Sequence, residues 1–137
     1  MSSATVLVVE DDAALREALC DTLELAGYRV IAVEDGQAAL ARLESGEVGM
    51  VLSDVQMRPM DGHTLLKRIK ARRADMPVVL MTAHGSIPKA VEAMHDGAAD
   101  YMVKPFEAEV LISMVSRYVS SPGADTEDAD LVAVDAR

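Results

Sequence analysis

The 137-residue chain has a single cysteine, Cys20, which excludes a disulfide within the chain. It also lacks a surplus of positive charge: 13 lysines and arginines stand against 23 acidic residues, and the formal net charge is −10. Proteins that bind nucleic acid directly need a basic face for the phosphates. The composition therefore argues against nucleic-acid binding by this chain and favours cationic partners or a bound metal ion.

No segment has the features of a membrane span or a secretion signal. The first apolar run, TVLVV at 5–9, is short, and no basic region precedes it. We therefore expect no membrane partner, and the lone cysteine is compatible with a cytoplasmic location. The sequence also has no internal repeat, no G-x-x-x-x-G-K-[ST] loop and no basic helix-turn-helix.

Short apolar runs alternate with amphipathic stretches along most of the chain. The runs predict strands at Thr5–Val9, Arg29–Val33, Gly49–Ser53, Pro77–Met81 and Asp100–Val103. The stretches between and after them predict helices at Ala14–Ala26, Gly36–Leu43, Gly62–Arg73, Ser86–His95 and Phe106–Val119. This β-α repetition predicts an α/β fold, a doubly wound five-stranded parallel sheet with five helices.

Polar residues follow four of the predicted strands, and the fold brings those strand ends together. Glu10 and Asp11 follow the first strand, Asp54 the third, Thr82 the fourth and Lys104 the fifth. Ligands of doubly wound sheets bind outside the carboxyl ends of the strands. Clustered carboxylates repel one another unless a cation intervenes, and hard oxygen ligands suit Mg²⁺. A carboxylate beside Mg²⁺ can attack a phosphoryl group, and an ammonium and a hydroxyl can then bind its oxygens.

The sequence resembles the receiver domain of two-component response regulators. The matching motifs are VVEDD at 8–12, LSD at 52–54, MDG at 60–62, MTA at 81–83 and YMVKPF at 101–106. The resemblance runs from about Thr5 to Val119 and implies the flavodoxin-like receiver fold. It further implies a switch that accepts a phosphoryl group from a sensor histidine kinase and only assists its own phosphorylation and dephosphorylation, rather than an enzyme.

The resemblance also implies a role for each matching residue. Asp54 corresponds to the phospho-acceptor, while Glu10 and Asp11 correspond to the acidic pair that holds Mg²⁺, with Asp11 the preferred direct ligand. Gln56 corresponds to the position whose backbone carbonyl completes the metal site. The remaining matches are Thr82 and Tyr101 as the switch pair, and Lys104, whose bond to Pro105 is expected to be cis.

A finer resemblance concerns the protein context. TAHGSI at 82–87 and AVEAMHDGAADYMVKPF at 90–106 resemble receivers of sigma-54-dependent transcription activators. This resemblance implies a receiver at residues 1–119 and an acidic linker at 120–137 that leads to an output domain absent from this chain. It also implies a homodimer through the face formed by the fourth helix, the fifth strand and the fifth helix. A stand-alone receiver is the alternative.

Other interpretations remain open for the function and for single residues. An Mg²⁺-dependent phosphohydrolase of the haloacid-dehalogenase type also uses a strand-end Asp, but it places a second Asp where this chain has Gln56. A receiver-like module that only binds partners is the third possibility. Asp12 is expected to cap the first helix rather than bind metal, and His63 and His84 are not expected to be metal ligands. Arg58 stands where receivers usually have proline, so the loop path after Met57 is expected to differ.

Overall fold

Strands and helices alternate throughout the computed structural model, which describes residues 5–119. The strands are β1 (Thr5–Val9), β2 (Arg29–Val33), β3 (Val48–Asp54), β4 (Val78–Thr82) and β5 (Asp100–Val103). The helices are α1 (Ala13–Leu25), α2 (Gly36–Leu43), α3 (Gly62–Arg72), α4 (Ile87–His95) and α5 (Ala108–Tyr118). The predicted fold class is confirmed.

All five strands are parallel, in the order β2-β1-β3-β4-β5. Every residue of β1, β3 and β4 is buried, whereas β2 and β5 form the edges and are partly exposed. Strand order reverses direction between β1 and β3, which is where such sheets bind ligands. The residues that follow β1, β3, β4 and β5 therefore lie at the edge of the sheet where ligands are expected to bind.

Two apolar layers cover the two faces of the sheet, because successive side chains of a strand point to opposite faces. Val6 and Val8 of β1 pack in a cluster that includes residues of α1 and α5, such as Leu19 and Val115. Leu7 and Val9 pack on the other face with residues of α2, α3 and α4. This packing holds the strands rigidly while leaving their carboxyl ends open.

Side-chain caps begin four of the helices. Asp12 accepts the amides of Ala14 and Leu15, which confirms its expected capping role. The caps of α2, α3 and α4 are Asp35, Asp61 and Ser86. Gly27 follows α1 with φ of +99°, a left-handed conformation that a residue with a side chain rarely adopts.

Several element bounds differ from the predicted ones. β3 extends from Val48 to Asp54, and β4 begins at Val78 rather than at Pro77, whose missing N–H fits a position before the ladder. α5 begins at Ala108 instead of Phe106, because Glu107 has an extended backbone and serves as its N-terminal cap residue. Leu25, the last residue of α1, is 90% exposed because it lies about 200° around the helix from the buried Leu23.

The apolar residues of α4 do not pack as the helical pattern predicts. Ile87, Val91 and Met94 are exposed, and Ala93 is the buried residue of this helix. No helix among residues 5–119 is long and apolar enough to cross a membrane. The predicted linker at 120–137 lies outside the described residues, so the division at residue 119 stays a prediction.

Candidate functional site

The carboxyl ends of β1, β3, β4 and β5 bring the predicted site residues together. The strand register pairs Val9 with Ser53, Asp54 with Met81 and Thr82 with Val103, so these strands end level with one another. Asp54 is the last residue of β3 and is 3% exposed, and Thr82, the last residue of β4, is fully buried. Strands that end in register thus place one carboxylate and one hydroxyl at the floor of a shared site.

Lys104 is the cation of the site. Its Nζ lies 2.8 Å from Oδ1 of Asp54 and donates a hydrogen bond to Oε1 of Glu10 at 3.1 Å. Burial by itself would lower the pKa of the ammonium, but Asp54 and Glu10 outweigh burial and the pKa of Lys104 is raised. The lysine therefore stays charged and holds the buried carboxylates of β1 and β3 together.

Three carboxylates form a potential metal-binding group. Oxygen atoms of Glu10, Asp11 and Asp54 lie within 4.8 Å of one another. Burial raises the pKa of Glu10, and the charge of Asp54 adds to that rise, while the Asp12 amide and Lys104 oppose it. Asp11 differs from Glu10 because it is exposed and, within residues 5–119, no hydrogen bond or ion pair engages its carboxylate. One ammonium does not balance three carboxylates, so the cluster suits a further cation.

The Thr82 hydroxyl makes two hydrogen bonds with described residues, neither of them with Asp54. Its Oγ1 donates to Oε1 of Gln56 at 3.0 Å and accepts the backbone N–H of His84 at 3.0 Å. Gln56 was predicted for its backbone carbonyl, and the contact of its side chain with Thr82 was missed. The sequence carries no signal for this contact, because the contact depends on the path of the loop after β3.

Tyr101 lies on β5 beside Thr82. Its hydroxyl is buried and makes no hydrogen bond of standard geometry with any described residue, although Thr82 faces it. Burial raises the pKa of Tyr101, and the nearby Thr82 hydroxyl offsets part of that rise. Within residues 5–119, the Tyr101 ring therefore lies beside Thr82 without a hydrogen bond from its hydroxyl to hold it there.

The loop between β3 and α3 forms one wall of the site. Gln56, Met57 and Arg58 line a cleft of about 370 Å³ together with Asp11. Arg58 is exposed, and the bond between Arg58 and Pro59 is cis, as is the bond between Lys104 and Pro105. The cleft therefore exposes the carboxylate of Asp11 to solvent, with the guanidinium of Arg58 on the same cleft.

Arg16 is a further residue that contacts the site. Arg16, on the first turns of α1, donates from Nη1 to the carbonyl oxygen of Glu10 at 2.7 Å and was missed by sequence reasoning. The sequence did carry a signal for this contact, because Arg16 interrupts the apolar pattern of α1 one turn after the acidic residues at 10–12. His63 and His84 do not belong to the metal-binding group found among the described residues.

The family model "Response regulator receiver domain" matches residues 6–116. The response regulator protein FleR of Pseudomonas aeruginosa is 51% identical over 127 residues, which cover 91% of this chain and 27% of FleR. The C4-dicarboxylate transport transcriptional regulatory protein DctD of Rhizobium meliloti is 44% identical over 118 residues, covering 85% of this chain and 26% of DctD. The chain thus spans about a quarter of the length of these two relatives.

Solved structures agree with the sequence match. The chemotaxis protein CheY4 of Vibrio cholerae superposes with a TM-score of 0.81 at 32% identity, covering 86% of this chain and 100% of that chain. The chain therefore shares the fold of this chemotaxis protein over most of its length.

Proposed function

Because the chain belongs to the response regulator receiver family, we propose that it is a phosphorylation switch whose Asp54 accepts a phosphoryl group from a sensor histidine kinase. One observation carries the proposal: a buried strand-end carboxylate, Asp54, lies 2.8 Å from the ammonium of Lys104 and within reach of two more carboxylates. A carboxylate needed only for stability would not require two further acids beside it.

The acidic group fits Mg²⁺ as the cofactor. Its donors are hard carboxylate oxygens, and the exposed, unpaired Asp11 is open to an ion from solvent. We assign Glu10, Asp11 and Asp54 as the residues that would hold the ion, together with the backbone carbonyl of Gln56. When bound, the ion supplies positive charge that offsets the charge of the incoming phosphoryl oxygens.

The chain's own residues account for the transfer step. An oxygen of Asp54 forms the new P–O bond while the P–N bond of the donor's phosphohistidine breaks, and the imidazole keeps the electron pair and takes up a proton. Lys104 provides positive charge beside the phosphoryl oxygens, and Thr82 provides a hydroxyl donor. Ala83, which follows Thr82, leaves space for the group because its side chain is small.

The switch would act through Thr82, Tyr101 and the face formed by α4, β5 and α5. Phosphorylation would draw Thr82 towards Asp54 and shift an existing equilibrium between two states. Exposed apolar side chains on this face, Ile87 at 80% and Val103 at 51%, support its use in a homodimer. The dimer would then control an output domain.

The relatives support a setting for that output. FleR is a response regulator protein and DctD a transcriptional regulatory protein, and this chain is 51% and 44% identical to them over the matched residues. We propose that residues 1–119 are the receiver of a sigma-54-dependent transcription activator and that 120–137 form an acidic linker to its output domain. A natural reading frame that stops after Arg137 would contradict this setting and favour a stand-alone receiver.

A phosphorylation assay tests the function. The protein is incubated with Mg²⁺ and acetyl phosphate, and intact mass is recorded for the wild type and for Asp54→Asn. A single phosphate adduct that the variant lacks supports the switch. Sustained release of phosphate would instead indicate a phosphohydrolase, and the absence of any adduct would indicate a module that only binds partners.

A further inference from the structure

The side chain of Gln56 makes a contact that the phosphorylation chemistry does not require. Its amide oxygen accepts the proton of the Thr82 hydroxyl at 3.0 Å. The loop itself projects Gln56 towards β4, because the Met57 amide donates to the Val55 carbonyl at 3.1 Å and Met57 is buried. Gln56 is therefore the exposed centre of a three-residue turn beside the end of β4.

The Thr82 hydroxyl has one proton, and Gln56 already receives it. The hydroxyl oxygen meanwhile accepts the His84 amide at 3.0 Å, which fixes the hydroxyl from a second side. A phosphoryl oxygen on Asp54 would need the same proton. Thr82 cannot donate to both acceptors at once, so phosphorylation and the contact with Gln56 compete.

We propose that Gln56 is a positioning residue that holds Thr82 in the unphosphorylated arrangement and so weakens the response of the switch. This inference rests on the proposed function, because it concerns the threonine that would bind the phosphoryl group. The cost of breaking the hydrogen bond between Thr82 and Gln56 adds to the free energy needed for switching. A net hydrogen bond of ~1 kcal/mol corresponds to about a fivefold change in the affinity for a phosphoryl group or its mimic.

The sequence offers a direct readout. It contains no asparagine and only two glutamines, Gln37 and Gln56, so the side-chain amide region of a ¹⁵N–¹H spectrum holds two NH₂ pairs. Gln37 is exposed on α2 and serves as the internal reference. On addition of Mg²⁺ and beryllofluoride, we expect the Gln56 pair to shift and the Gln37 pair to stay.

The affinity test uses matched variants. Gln56→Met keeps the length of the side chain but removes the strong acceptor, and Gln37→Met makes the same change away from the site. We expect Gln56→Met to tighten beryllofluoride binding about fivefold at saturating Mg²⁺, and Gln37→Met to leave it unchanged. In a Thr82→Val background, Gln56→Met should have no effect. In Thr82→Val alone, which keeps Gln56, the NH₂ signals of Gln56 should already be shifted before any ligand is added, because its amide oxygen has lost the Thr82 hydroxyl.

Three outcomes overturn the inference: unchanged binding by Gln56→Met, weaker binding, or an equal gain in the Thr82→Val background. The last would mean that Gln56 acts on the ligand directly and not through Thr82. Failure of the proposed function looks different, because the wild type itself would then bind no beryllofluoride. A Mg²⁺ titration of Gln56→Met without beryllofluoride checks that the metal site is intact. A gain in Mg²⁺ affinity equal to the gain in beryllofluoride affinity would overturn the inference too, because it would assign the effect to the metal site and not to Thr82.

Discussion

Gly62, the first residue of α3, has no room for a side chain. A Cβ at this position would lie 2.8 Å from Cα of Val55 and would collide with the carbonyl oxygen of Asp54. Both obstacles are backbone atoms, and they belong to the strand end that carries the proposed phospho-acceptor. We therefore expect Gly62→Ala to force α3 away from β3 or to displace Asp54.

The size of this effect follows from the missing space. Ordinary carbon contacts begin near 3.4 Å, so the two backbones must separate by at least roughly 0.6 Å to clear Cα of Val55, and by more to clear the carbonyl oxygen of Asp54. No rotamer change can relieve the clash. Overpacking of this kind costs about 1–3 kcal/mol, and we expect Gly62→Ala to lower the free energy of unfolding by ~2–3 kcal/mol.

Gly46→Ala is the matched control. Gly46 has φ of +82°, but nothing lies within 4 Å of its hypothetical Cβ, so alanine there meets conformational strain of ~1 kcal/mol and no clash. Urea unfolding of both variants at pH 7 gives the comparison, and beryllofluoride binding reports on Asp54. A Gly62→Ala protein that is no less stable than Gly46→Ala and binds beryllofluoride normally would refute the reasoning.

Three further changes have clear expected outcomes. Lys104→Met leaves the buried carboxylates of Glu10 and Asp54 without their counter-charge and should cost ~2–3 kcal/mol at pH 7. Without Lys104 the pKa of Glu10 rises further in the folded state, so the loss should shrink on acidification, and a loss independent of pH in urea titrations would contradict this. Asp61→Ala removes the cap of α3 and should cost ~1 kcal/mol at pH 7. Burial raises the pKa of Asp61, but hydrogen bonds to Thr64 outweigh burial and the pKa is lowered. The stability that the cap contributes is therefore present above the ordinary pKa of aspartate and is lost as pH falls through the pKa of the folded state. A cost of Asp61→Ala that persists at pH 2, or an equal cost in Asp61→Ser, would refute the assignment. Arg58→Gln removes a positive charge from the cleft that also contains Asp11, and calorimetry should find Mg²⁺ binding about two- to threefold tighter at low salt, with the gain disappearing in 1 M salt.

Much of the fold was predictable because strand and helix periodicities differ. Position within the sheet was not predictable from composition: TVLVV of β1 and RVIAV of β2 look alike, yet β1 is fully buried and β2 forms an edge. The exposure of Ile87 was likewise hidden, because an apolar helical stripe looks the same whether it meets the core or solvent.

The candidate site was also predictable only in part. Parallel strands that end in register must bring Asp54, Thr82 and Lys104 to one edge, so their meeting followed from the order of elements. The side-chain partners of Gln56 and Arg16 depend on a loop path and on rotamers, which no periodicity encodes. The sequence thus predicted which strand-end residues meet at this edge, and it did not predict the side-chain contacts that Gln56 and Arg16 make there.

The contrasting environments of two tyrosines give this protein an optical signal. The chain has no tryptophan, so tyrosine emission is not masked. The Tyr118 hydroxyl donates to the carboxylate of Asp100 at 2.9 Å, an arrangement that quenches fluorescence through proton transfer in the excited state. Tyr101, with no such acceptor among the described residues, would contribute more of the emission than Tyr118. A change in its surroundings would therefore change the intrinsic fluorescence, and the kinetics of switching could be followed without a label.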